Sequence, residues 1–321
     1  MTPVQTVALR VGDMRAVVAP ALGGRVLSLE GRGAPLLWHN PDLLDDTLSP
    51  LGERVDPESL DGFATWQNWG GEKSWVAPQG WDADDEWHGP PDRVFDAGEF
   101  AVTSCSDRGI VMRSGFDPAT GLRMTRAVTV TRQGMHVRTT LRNESARVRR
   151  WAAWEVAQLP LYDADVGCPH AGVFVHVRAG SDAVPLFRLR GTLSTHRRGR
   201  LLRVPPAPAI GKLGFPGCTG AIELRHAEGP GLRLSFRVRP DEPYPDDSPG
   251  QVWLQTPVSE PLHELGGFVS TASLVELEAL SPLRRLEPGA SVSLSCDWTV
   301  VPAAARSGEF GRLAGVERPI G

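Results

Sequence analysis

Lysine is almost missing from this chain. Its 321 residues include only Lys73 and Lys212, so arginine supplies nearly all of the positive charge. Cysteine is also scarce. Cys105, Cys168, Cys218 and Cys296 form no CxxC pair and match no His/Cys spacing of a zinc site. They predict reduced, incidental thiols and no metal centre. The net charge of −4 is small, which argues against nucleic acid or an anionic membrane as partner. No apolar run is long enough to span a bilayer, and no basic stretch followed by an apolar core opens the chain. A soluble cytoplasmic protein is the expectation, in which the sequon Asn143-Glu144-Ser145 has no consequence.

Helical periodicity is weak throughout. Short alternating runs broken by Gly, Pro and Asp take its place, and these read as strands and turns. Strands are expected at 7–11 and 15–19, joined by a Gly12-Asp13 turn, then at 25–30 and 36–39. Others are expected at 100–105, 109–114, 122–131, 135–143, 151–159, 173–177, 221–226, 232–238, 251–256, 273–279 and 291–300. One helical turn is expected at 56–60, where Pro57 and Glu58 suit a first turn. Many strands with few helices predict a sandwich or barrel rather than a parallel α/β sheet. Apolar residues make up 41% of the chain, ample for one large core. Pro205-Pro206-Ala207-Pro208 reads as a loop and not as a linker. A single domain over 1–302 and a small, polar tail over 303–321 are expected.

Familiar motifs fail. Gly70-Gly71-Glu72-Lys73-Ser74 is no phosphate loop, because Glu72 stands where glycine must precede the lysine. No dinucleotide fingerprint is present, so no cofactor is expected. The acidic run Asp82, Asp84, Asp85, Glu86 lacks the mid-loop glycine of a calcium loop and reads as solvated. The arginine clusters near 147–150 and 197–200 have no interleaved aromatics and read as exposed loop charge.

What remains is concentrated. Five of the ten tryptophans, Trp66, Trp69, Trp75, Trp81 and Trp87, fall in one window around Glu72, Lys73 and Gln79. Indole faces next to charged and amide groups suit a polyhydroxylated ligand such as a sugar. Rings cover its C–H face and polar groups bind its hydroxyls. In the run from Leu274 to Leu283, Glu276 and Glu278 would share one strand face, where like charges need an answering cation, ligand or water. Around Trp154, a strand would send Glu155 one way and Trp154 and Gln158 the other, so only one set can face a cleft. Lys212 sits between glycines, free to reach either a cleft or water. Tyr244-Pro245-Asp246 forms a turn into a strand that carries Gln251 and Trp253. His88, just after Trp87, is the most suggestive of eight histidines.

These segments, in this order, resemble the galactose-mutarotase-like superfamily, which includes the aldose 1-epimerases. The opening Gly23-Gly24-Arg25-Val26 and Leu36-Leu37-Trp38 look like its first strands. The residues 70–79, the Tyr244-Pro245-Asp246 turn and the Glu276–Leu283 element resemble an uncharacterised branch of it. The resemblance covers about 7–300 and implies a β-supersandwich of two large antiparallel sheets with a sugar cleft on one concave face. It also implies anomer interconversion by a general acid and a general base. The implied roles are Glu276 or Glu278 as base and His88 or Lys73 as acid or electrostatic partner. Trp69 and Trp75 would stack on the sugar, with Glu72, Gln79, Glu155, Gln158, Lys212 and Tyr244 as further binding residues. The family's usual histidine pair has no match placed here. That leaves open a non-catalytic sugar-binding protein, or a biosynthetic isomerase or lyase on the same fold. The expected partner is a small carbohydrate-like ligand; the sequence does not set the oligomeric state.

Overall fold

A computed structural model describes residues 4–80, 82–83 and 85–303. Trp81 of the tryptophan-rich window, Asp84 of the acidic run and tail residues 304–321 lie outside them. Among the described residues two large sheets face each other, of eleven and ten strands, and every pairing between these strands is antiparallel. The path of the first runs Val7–Val11, Met14–Ala19, Arg25–Gly31, Glu72–Ala77, Arg149–Pro160, Leu274–Leu280, Gly250–Gln255, Ile210–Phe215 and Val184–Arg190; two short strands flank it. In the second, the long strands Leu122–Thr131, Gly134–Asn143 and Ser291–Val301 lie at the centre. The fold is the expected all-β sandwich of two antiparallel sheets.

Alternation explains both sheets. In Ser291–Val301, Val292, Leu294, Cys296, Trp298 and Val300 turn inward while the serines between them are exposed. They meet Leu277 and Val275 of the first sheet in one continuous apolar core, the arrangement expected when each sheet buries one face. The middle of the first sheet departs from this pattern. Every residue of Glu72–Ala77 and of Leu274–Leu280 is buried, so both faces of these strands are covered. One face is the core. The other is the floor of a cavity.

Some expected elements shift. No strand forms at 36–39; His39 makes an isolated bridge to Gly70, and the Leu36 and Trp38 N–H groups donate singly to Leu29 and Gln158. Glu72–Ala77 is a central strand although its sequence does not alternate apolar with polar, since both faces are buried and both carry polar groups. The turn at 56–60 is a 3₁₀ turn, Pro57–Ser59, capped by the Asp56 side chain. Gly71 makes the entry to the central strand possible. Its φ is +78°, and a Cβ there would lie 2.2 Å from the Val26 carbonyl oxygen.

Candidate functional site

The cavity opens on the outer face of the first sheet and encloses about 220 Å³. Strand parity decides which side chains reach it. In Glu72–Ala77, Lys73, Trp75 and Ala77 point to this face, and Glu72, Ser74 and Val76 point to the core. In the next strand, Trp154 and Gln158 take the cavity side and Glu155 the core side. Glu276, Glu278 and Leu280 follow on the third strand, Gln251, Trp253 and Gln255 on the fourth, and Lys212 on the fifth. The register lays Gln158, Glu276, Trp253 and Lys212 side by side in one row across four strands. Lys73, Val156, Glu278 and Gln251 form the adjacent row.

The walls are aromatic. Trp75 packs against Trp154 and Trp87 with ring centroids 5.3 Å apart in each case, edge to face or tilted, as ring quadrupoles favour. Trp66, Phe63 and Phe268 line the cavity from a loop side, and Phe187 and Trp253 from another. Trp66 is anchored by its indole N–H, which donates to Asp96 at 2.8 Å; Asp96 in turn is held by the buried guanidinium of Arg25.

Charge at the floor is paired and nearly dry. Glu276 is only 9% exposed and lines the cavity. Its Oε1 accepts a hydrogen bond from Gln158 at 2.7 Å, with the ammonium of Lys73 3.6 Å away. Lys73 is 1% exposed, lies 4.7 Å from the Trp75 ring centre, and its Nζ has no hydrogen-bond partner among the described residues. Burial lowers its pKa to about 8, partly offset by the Glu276 charge. Glu278 is fully buried. Its Oε2 accepts from Lys212 Nζ and from Trp154 Nε1, each at 2.8 Å. Burial raises its carboxyl pKa to about 7, against the pull of Lys212. Lys212 lines the cavity with its ammonium 4.3 Å from the Trp154 ring centre. The arrangement can transfer a proton near neutrality. It offers a reachable carboxylate, a reachable ammonium and two groups that change charge at about pH 7 and 8.

The structure thus brings Trp75, Gln79, Gln158, Lys212 and Glu276 together as lining residues, with Lys73 and Glu278 packed behind them. Five expected site residues stand elsewhere, and their assignment is corrected. Glu72 and Glu155 face the core. Glu72 pairs there with Arg126 of the opposite sheet, and Glu155 accepts hydrogen bonds from Ser74 and Trp298. Trp69 is buried in a small second apolar cluster with Leu22, Leu27 and Leu44. Tyr244 is a core residue whose hydroxyl accepts the Arg239 N–H at 2.9 Å. His88 is exposed and does not line the cavity. Asp246, Gln251, Trp253 and Gln255 line it without having been assigned a role. Their signal was present: Gln251, Trp253 and Gln255 alternate at a strand period, and Asp246 follows Tyr244 in the turn just before them. Among the described residues no group of His, Cys, Asp and Glu is placed to hold a metal ion, and no helix is long and apolar enough to cross a membrane.

No protein-family profile and no curated protein sequence matches the chain. Solved structures do. The Slr1438 protein from Synechocystis sp. PCC 6803 superposes with a TM-score of 0.59 at 14% identity, covering 94% of this chain and 98% of that one. A putative aldose 1-epimerase from Escherichia coli K12 gives 0.58 at 17% identity, with 92% and 98% covered. A galactose mutarotase-like protein from Lactobacillus casei ATCC 334 gives 0.55 at 13%, with 92% and 100% covered. At such identities the likeness speaks for the fold alone. The order of strands, the two antiparallel sheets and these superpositions over more than nine-tenths of the chain establish that this protein has the galactose mutarotase-like fold.

Proposed function

We propose that this single-domain protein binds a sugar in the cavity and interconverts its anomers by acid–base ring opening, as an aldose 1-epimerase does. The observation that carries this reading is Glu276: a cavity-lining carboxylate with a buried ammonium 3.6 Å behind it and an amide donor at 2.7 Å beside it. The indole walls suit the C–H face of a pyranose. The amides of Gln79, Gln158, Gln251 and Gln255 offer both donors and acceptors to its hydroxyls. Glu276, with the Lys73 ammonium 3.6 Å away, takes the proton of the anomeric hydroxyl. Lys212, which lines the cavity where His88 does not, gives a proton to the ring oxygen as the C1–O5 bond breaks. Rotation about C1–C2 and reclosure return both protons, so nothing is consumed. Lys212 draws on Glu278, a carboxyl that itself exchanges a proton near neutrality. Four unpaired thiols fit a reducing, cytoplasmic setting.

The test is magnetisation exchange between the anomers of glucose and galactose, followed by NMR with and without protein. Acceleration by the native chain, reduced about 10²-fold or more in Glu276→Gln while the sugar still binds, is the expected result. Sugar binding without any acceleration would favour the second reading, a non-catalytic sugar-binding protein. That reading draws support from the lack of any histidine among the described lining residues.

A further inference from the structure

The charges of the cavity are unequally answered. Lys212 is the one cationic side chain among the described lining residues, and it is already bound by Glu278 at 2.8 Å and covered by the Trp154 ring. Of the two lining carboxylates, Glu276 faces Lys73. The other, Asp246, forms no salt bridge among the described residues. Its Oδ2 takes a single hydrogen bond, from Gln251 Nε2 at 2.9 Å. Asp246 is exposed, so it stands at the mouth while Glu276 lies at the floor.

The backbone holds Asp246 there in an uncommon conformation. Asp246 and Asp247 are consecutive non-glycine residues with φ of +52° and +51°, in the left-handed region. Tyr244 secures the turn: its ring is buried, its hydroxyl is bonded to Arg239, and its carbonyl accepts the Asp247 N–H at 3.2 Å. A strained carboxylate without a counter-ion, set at the edge of a cavity walled by Trp66, Trp75, Trp154 and Trp253, matches a cation. The π faces of such rings attract positive charge and the carboxylate completes its pairing. A phosphate group meets the opposite situation: two carboxylates and, among the described lining residues, no uncommitted cation.

Resting on the carbohydrate reading above, we infer that the cavity prefers a sugar that carries a basic amine and rejects sugar phosphates, and that Asp246 is the residue that reads the amine. Isothermal titration calorimetry just below neutral pH tests this with glucosamine, N-acetylglucosamine, glucose and glucose 6-phosphate. Glucosamine is expected to bind at least tenfold more tightly than glucose or N-acetylglucosamine, and glucose 6-phosphate more weakly than any of them. In Asp246→Asn the preference for glucosamine over glucose falls to about unity. Asparagine tolerates the left-handed backbone and still accepts from Gln251, so the turn survives. Equal affinity for glucosamine and glucose, a preference that persists in Asp246→Asn, or tighter binding of glucose 6-phosphate overturns the inference while leaving the carbohydrate reading in place. Failure of all four sugars to bind overturns both.

Discussion

Lys73 shows what a single residue contributes. Its ammonium is buried, has no hydrogen-bond partner among the described residues, and faces Glu276 at 3.6 Å. A lysine whose folded pKa is lowered gives stability that is present above its unfolded value of 10.5 and lost as pH falls through about 8. At neutral pH the fold therefore carries a charged group in a site that disfavours it, at a cost of roughly 3 kcal/mol by linkage. Lys73→Met should then raise the melting temperature at pH 7 by a few degrees, read by calorimetry. It should also remove the cation 3.6 Å from Glu276, so the proposed anomer exchange should fall by about tenfold or more. Unchanged exchange would show that Lys73 does not act on Glu276. Glu278 has the opposite sign. Its pKa is raised, so its contribution is complete below 4.5 and disappears as pH rises through about 7. Glu278→Gln should accordingly flatten the loss of stability between pH 5 and 8 in denaturation series, relative to the native chain.

At the scale of elements, the central strand Glu72–Ala77 joins the two halves of the first sheet, pairing with Arg149–Pro160 over six positions and with Arg25–Gly31 over one. That single contact depends on Gly71, whose backbone passes close enough to Val26 to exclude a Cβ. Gly71→Ala should destabilise the protein by roughly 2 kcal/mol or more, measured by urea denaturation. Because Lys73 and Trp75 follow within the same strand, it should also weaken the proposed sugar binding, followed by quenching of tryptophan fluorescence. A glycine elsewhere without such contacts, for example Gly12, has nothing within 4 Å of its missing Cβ and should accept alanine with a smaller loss, confined to its positive φ.

At the scale of the whole molecule, the sandwich is not purely apolar inside. Arg126 of the second sheet pairs with Glu72 of the first, both fully buried, and also donates to the Gly24 carbonyl. Beside them Ser74 bonds Thr139 at 2.6 Å and Glu155 at 2.8 Å, and Trp298 reaches Glu155 at 3.2 Å. This polar bridge fixes the two sheets in one relative position directly beneath the cavity floor. Burial raises the Glu72 carboxyl well above the ordinary carboxylate range, with Glu155 adding to the rise. Arg126→Met should cost about 3–5 kcal/mol, since it leaves Glu72 buried without a cation. Adding Glu72→Leu should restore much of the loss, a coupling visible in a double-mutant cycle by chemical denaturation.

The alternation of apolar and polar residues was enough to read most strands, the all-β class and the segments that flank the site. Trp75, Gln158, Lys212 and Glu276 stood out because their residue types are rare or unusually placed in this chain. Glu72, Glu155, Trp69, Tyr244 and His88 stood out for the same reason but lie off the cavity. Local sequence shows that Glu72 and Lys73, or Trp154 and Glu155, point to opposite faces, yet not which face is the core. That choice depends on what packs against each side: Arg126, Thr139 and Trp298, from strands of the other sheet, draw Glu72 and Glu155 inward. Residue types and period 2 are properties of the chain alone. The facing of each strand is decided only when both sheets close, because burying a carboxylate requires a partner that lies far away in sequence.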